Sequence, residues 1–175
     1  MILDTPKTAW ENHPAEHSEP PAALPTVEKT AVEWLRDNLR DALALPPDAV
    51  EWLIMLFEAT QTFDDYADGD EVPRSALDAT LWNTLVAMPQ NSFFRANSST
   101  LVPVVASAIL KWQGADAIER GAGKVDARSF VWRASFYDVV LMVVQLVHGP
   151  RIAIANAHAV LNLYGESFDD YLGEF

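Results

Sequence analysis

An all-α fold is what this sequence predicts: a single-domain bundle of about six helices over residues 27–175, behind an irregular Pro-rich arm over residues 1–26. Three observations predict it. Apolar residues recur every third or fourth position through most of the chain. Pro or Gly stands where each periodic stretch stops. No convincing alternation of apolar and polar residues marks a strand.

Size and composition agree with one domain. Half of the 175 residues are hydrophobic, enough to bury a sizeable core. Lys and Arg number 12 against 25 Asp and Glu, a formal charge of -13, which repels nucleic-acid phosphates and anionic lipid and favours cations or basic protein patches. With no Cys there is no disulfide, thiolate metal site or thiol nucleophile, as suits a reducing compartment. The first residues, MILDTPKTAWENHP, lack a basic segment followed by an apolar core, so no signal peptide is expected. The apolar run from Val139 to Val147 is about half of the ~20 residues that span a bilayer, and reads as a buried helix of a soluble protein.

The arm holds Pro6, Pro14, Pro20, Pro21 and Pro25, with Ile2, Leu3 and Trp10 as its large apolar anchors; it is expected to dock on its own domain or on a partner. Residues 27–44 form the first helix, with Ala31, Leu35, Leu39 and Leu43 along one face, stopped by Leu45-Pro46-Pro47. Asp48 is expected to cap the second helix with Glu51 three positions on, as in a capping box, and Asp68-Gly69-Asp70 ends it. Ser75 and Asp78 mark the third, on which Leu77, Leu81 and Leu85 form the apolar face before Met88-Pro89.

Residues 90–98 read as a loop that tucks Phe93 and Phe94 onto the body. A fourth helix follows to Glu119, with Pro103 in its first turn and Leu101, Val105, Ala108 and Trp112 facing inward. Asp126 caps the fifth, which runs to about Val147 and is apolar nearly all round, so it should be central. His148-Gly149-Pro150 stops it. A sixth helix carries Ile152, Ala155, Ala159 and Leu163 on one face, and Ser167 caps a last turn with Phe168, Tyr171 and Leu172. The tetrapeptide Phe-Asp-Asp-Tyr occurs at 63–66 and 168–171, too short a match to establish a duplication.

Chemistry is sparsely marked. On the second helix Glu58, Gln61, Asp65 and Asp68 share one narrow stripe, one heptad after Glu51, which faces either solvent or an internal cleft. Carboxylates one turn apart can share a hard divalent cation. Asp116 and Glu119, at i and i+3 on the fourth helix, could complete such a shell, giving Glu58, Asp65, Asp68, Asp116 and Glu119 as candidate ligands for Mg or Mn, with Lys111 or Arg133 to meet a phosphate. The alternative is a solvated helix end, although carboxylates there oppose the helix dipole. Asp138, flanked by apolar residues in the fifth helix, needs a partner, for which Arg133, Lys111 and Tyr137 are the available types. His13 and His17 lie in the arm, His148 at a helix end and His158 on the sixth helix, none beside a nucleophile. No GxSxG, phosphate-binding Gly-rich loop or HExxH is present, and Tyr66 and Ser75 spoil an EF-hand register begun at Asp64.

Asp64-Asp65-Tyr66-Ala67-Asp68 resembles the DDxxD motif of prenyl and terpene synthases, which implies Mg and a diphosphate, but only over these five positions. The paired acidic residues are loosely similar to the ExxE and ExxD motifs of small all-α nucleotide pyrophosphatases. The runs MPQNSFFRAN, KWQGADAIER and LYGESFDDYLGEF resemble uncharacterised helical accessory proteins of tailed phages and prophages, implying an assembly role in a bacterial cytoplasm or on a virion.

Two functional expectations follow. One is a non-enzymatic, acidic helical interaction or assembly protein that needs no cofactor and binds a protein partner or a second copy of itself, through its acidic surface and its arm. The other is a Mg- or Mn-dependent hydrolase of a phosphate-containing small molecule.

Overall fold

The computed structural model describes residues 29–121 and 125–173, which form eight helices and no strand. The arm, with His13 and His17, lies outside the described residues. The helices are α1 (Ala31–Asp37, continued by a π turn, Asn38–Ala42), α2 (Pro47–Asp68), α3 (Arg74–Trp82, then a π turn, Asn83–Ala87, then Met88–Gln90), α4 (Ser92–Arg120), α5 (Ala127–Arg133), α6 (Phe136–His148), α7 (Pro150–Leu161) and α8 (Phe168–Gly173).

Thr30 opens α1 with a capping box, its hydroxyl accepting from the Glu33 amide at 3.2 Å while the Glu33 carboxylate accepts from the Thr30 amide at 2.9 Å. Leu35, Leu39 and Leu43 are buried as their spacing requires. The turn into α2 places Leu43 and Leu45 in the core on either side of Ala44, whose φ of 48° is left-handed, at a cost of ~1 kcal/mol for a residue with a Cβ. His148 holds this turn by donating through Nε2 to the Leu43 carbonyl at 2.9 Å.

Pro46, not Asp48, is the N-cap of α2. Asp48 instead accepts from the Ser92 hydroxyl at 2.7 Å, and Glu51 pairs with Arg36. Likewise Pro73, and not Ser75, precedes α3, and Asp78 pairs with Arg74 one turn back. Pro fixes a backbone suited to helix entry without a side-chain acceptor, and that freed both carboxylates for other partners. Asp126 and Ser167 do cap α5 and α8, accepting from the Arg128 amide at 2.7 Å and the Asp170 amide at 3.1 Å.

The expected loop at 90–98 is helical. Asn91 accepts from the Phe94 amide at 3.0 Å, so α4 starts at Ser92. Pro103 therefore stands in the helix interior. The carbonyl it leaves without an amide donor belongs to the exposed Ser99, where solvent can satisfy it. Phe93 and Phe94 do pack on the body, Phe94 stacked on Trp52 with ring centroids 5.4 Å apart.

The expected fifth helix is two, α5 and α6, bent by 50° at Ala134-Ser135. There the backbone tightens to three-residue turns, and the buried Ser135 hydroxyl donates to the Ala108 carbonyl of α4 at 2.9 Å. With the last short segment long enough to count as a helix, six become eight. Val139, Val140, Val143 and Val144 put one side of α6 in the core, against Leu101 of α4 and the Trp52-Leu53-Ile54 face of α2. On α7 the buried positions are Ala153 and Val160, and Ile152 and Ala155 are exposed, so the inward face is one residue round from the expected one; Leu163 is buried beyond its end.

Candidate functional site

Arg133, the last residue of α5, gathers the carboxylates of two other helices. Its guanidinium donates to both oxygens of Asp64 at 2.9 and 3.1 Å and to Glu119 at 2.6 Å, and stands 3.7 Å from Asp68. Asp64 also accepts from the Trp112 indole at 2.9 Å. The second oxygen of Glu119 accepts from the Tyr171 hydroxyl at 2.5 Å, and Tyr171 lies 2.7 Å from the Ser129 hydroxyl. Asp116, nearly buried, pairs with Arg120. The cluster thus joins α2, α4, α5 and α8.

Electrostatics follow from that geometry. Burial works against the charge of Arg133, but Asp64, Glu119 and Asp68 outweigh it and hold its pKa above the ordinary arginine value. Burial and the neighbouring Asp64 raise Asp68 above the usual carboxylate range despite Arg133, with Asp116 and Asp70 adding to the effect. Burial, then the Glu119 carboxylate that accepts its proton, push Tyr171 up to about 12. Asp64 and Asp68 end α2 and Asp116 and Glu119 end α4, positions that oppose the helix dipoles, and Arg133 and Arg120 offset that charge.

Of the five candidate metal ligands, Asp68 and Glu119 meet at Arg133, and Asp116, within electrostatic reach of Asp68, pairs with Arg120 instead. Glu58 and Asp65 lie exposed with Gln61 on the outer stripe of α2, which faces solvent. Among the described residues no group of three or more His, Asp or Glu side chains is arranged to hold a metal ion. A guanidinium stands where the carboxylates converge. Lys111, the other candidate phosphate contact, pairs with Asp138, whose side chain is 53% exposed and not buried as its apolar neighbours imply. Of the two Phe-Asp-Asp-Tyr copies, one supplies Asp64 to the cluster and the other Tyr171, so they share no role.

A second feature lies on α3 and α4. Thr80 of α3 is buried and donates to Thr62 of α2 at 3.2 Å, which turns the threonine side of α3 inward. Leu77, Leu81 and Leu85, the expected apolar face of this helix, therefore point outward, 43, 60 and 68% exposed, beside the exposed Trp82. Across from them Val102, Ile109 and Leu110 of α4 are also exposed. Between the helices is a groove of about 280 Å³, banked by Thr84 and Met88 on one side and Val102, Ala106 and Ile109 on the other, with Trp52 and Phe94 also lining it. Trp52 Nε1 is the one buried side-chain nitrogen or oxygen among the described residues without a hydrogen-bond partner.

A sequence signal for this face was present: residues 79–110 contain a single charged residue, Arg95, in a chain that is 21% charged. α4 is also the one described helix long and apolar enough, by length and composition, to cross a bilayer, a property expected of no segment. Arg133 was a candidate phosphate contact in the sequence, but its pairing with Asp64 and Glu119 carried no local signal, because Asp64 lies 69 residues away.

Fold and site together define an all-α bundle that carries an internal arginine–carboxylate network and an outward apolar face. No protein-family model, curated protein or solved structure matches the chain.

Proposed function

We propose that this protein works by binding, as an interaction or assembly module, and that its contact surface is the apolar face of α3 and α4. One observation carries the reading: α3 buries Thr80 and exposes Leu77, Leu81 and Leu85. Each leucine, about half exposed, forgoes roughly half of the ~1.5–3 kcal/mol that full burial gives, so a helix oriented this way gains most when something covers it. The carboxylate cluster supports the same reading, since Asp64 and Glu119 are committed to Arg133, Trp112 and Tyr171 as ties between helices. The acidic remainder of the surface would discourage nonspecific contacts with other acidic molecules.

The test is a photo-crosslinking residue placed at Leu85 in the full chain, expressed in the cells that encode it, with the exposed Ala155 of α7 as control position. A discrete protein adduct at Leu85 and none at Ala155 is the expected result. Equal labelling at both positions, or none at Leu85, overturns the proposal.

A further inference from the structure

Resting on that reading, we infer that the occupant of the α3–α4 face is a second copy of this chain, in a two-fold arrangement that seats the Leu81-Leu85 ridge of each copy in the other's groove. Three observations select it.

The first is area. Leu81, Trp82, Leu85, Val102, Ile109 and Leu110 together expose on the order of 700 Å², close to the ~800 Å² that each partner contributes to a stable interface of standard size.

The second is charge. A copy of a chain at -13 is repelled wherever carboxylates meet, yet residues 79–110 carry no Asp or Glu and one charge, Arg95, near the start of α4, so this face can meet itself without opposing carboxylates. A basic partner would want acidic residues here. A bilayer is a poorer match, because the tip of the α3–α4 hairpin is held to a charged residue: Asn91 donates to the Asp48 carbonyl at 2.9 Å and Ser92 to its carboxylate at 2.7 Å. The hairpin is thereby pinned along α2 and offers its flank.

The third is shape. A two-fold interface requires one patch to complement itself, so it needs a ridge and a groove side by side. Leu81 and Leu85 stand one turn apart on α3. Thr84 and Met88, from the same side of that helix, bank the groove. The opposite bank dips at Ala106 between Val102 and Ile109, where a leucine from the other copy can enter.

The experiment takes the full chain through sedimentation equilibrium and light scattering, alongside L85E and V102E, with circular dichroism to confirm that each variant keeps its helix content. Wild type is expected at twice the 19.4 kDa chain mass. Each variant is expected to dissociate at least ~30-fold more readily, the scale of a central hot spot. Because the chain has no Cys, geometry can be read directly: L85C mixed with I109C should give a disulfide between the two proteins, and L85C mixed with A155C should not.

A wild-type monomer at every concentration reached overturns the inference. So does a dimer unaffected by both variants, or flotation of the chain with neutral phosphatidylcholine vesicles that L85E abolishes. The Leu85 photo-adduct separates the two proposals: an adduct with a protein of different mass overturns the second copy and leaves the interaction function standing, whereas no adduct overturns both.

Discussion

Arg133 and Asp64 are joined by two hydrogen bonds, 2.9 and 3.1 Å long, across 69 residues of sequence. This pair ties the end of α5 to the end of α2, and through Glu119 the same guanidinium also reaches α4. Its side chain is 16% exposed and that of Glu119 only 4%, so solvent screens neither well. Removing one partner of such a buried pair strands the other's charge. Arg133→Met is therefore expected to cost about 3–5 kcal/mol in urea denaturation at neutral pH. A deficit below ~1 kcal/mol would show that the network does not hold the bundle.

Tyr171 gives a test at the alkaline end. Its folded pKa, raised to about 12, lies above the ~10 of an unfolded tyrosine, so its contribution is fully present below pH ~10 and is lost as pH climbs toward 12. Tyr137, raised to about 12 by burial, adds to the same loss. Tyr171→Phe removes hydroxyl contacts to Glu119 and Ser129 and should cost about 1–3 kcal/mol at pH 7. Thermal melts from pH 8 to pH 11 are expected to show a smaller alkaline loss in the variant than in wild type.

Asp64 and Asp68, one turn apart on α2, should respond oppositely to neutralisation. Asp64 accepts three hydrogen bonds from Arg133 and Trp112, so Asp64→Asn is expected to lower the melting temperature. Asp68 has its pKa raised by burial and by Asp64, which means the folded state disfavours its charge at neutral pH. That unfavourable contribution exists above its folded pKa and is relieved as pH drops through it. Asp68→Asn should hold or slightly raise the melting temperature at pH 7, and the difference from wild type should vanish in acid. Scanning calorimetry of both variants at two pH values decides the matter.

Much of the fold is legible in local pattern. Leu35, Leu39 and Leu43, and Leu101, Val105 and Ala108, face the core as their spacing requires, and Asp126 and Ser167 cap as their types suggest. Tertiary contacts decided the rest. The break at Ser135 depends on the Ala108 carbonyl of another helix, and nothing near Ser135 in sequence reveals it. The outward turn of Leu77, Leu81 and Leu85 depends on Thr80 finding Thr62, since periodicity identifies an apolar stripe but not what covers it. The candidate site was half legible: acidic pairs at helix ends include Asp68 and Glu119, while the cation that gathers them with Asp64 arrives from α5, and Asp116 pairs within its own helix with Arg120.

Gly114 offers a last test, of how closely α4 and α5 pack. A Cβ at this position would come within 2.8 Å of the Trp132 ring, nearer than side-chain carbons normally approach. Replacing Gly by Ala inside a helix ordinarily gains up to ~1 kcal/mol, whereas forcing a packed neighbour aside costs about 1–3 kcal/mol. Trp132 is 44% exposed and can shift its ring outward, which keeps the cost toward the lower end of that range. Gly114→Ala is thus expected to destabilise the protein by about 1 kcal/mol, less than a fully enclosed clash would. In a Trp132→Leu background the ring is gone, so the same substitution should become stabilising by up to ~1 kcal/mol, the helix-propensity gain alone. A double-mutant cycle in urea measures that change of sign, and two equal single-site effects would mean that Gly114 is chosen for some reason other than the ring lying across it.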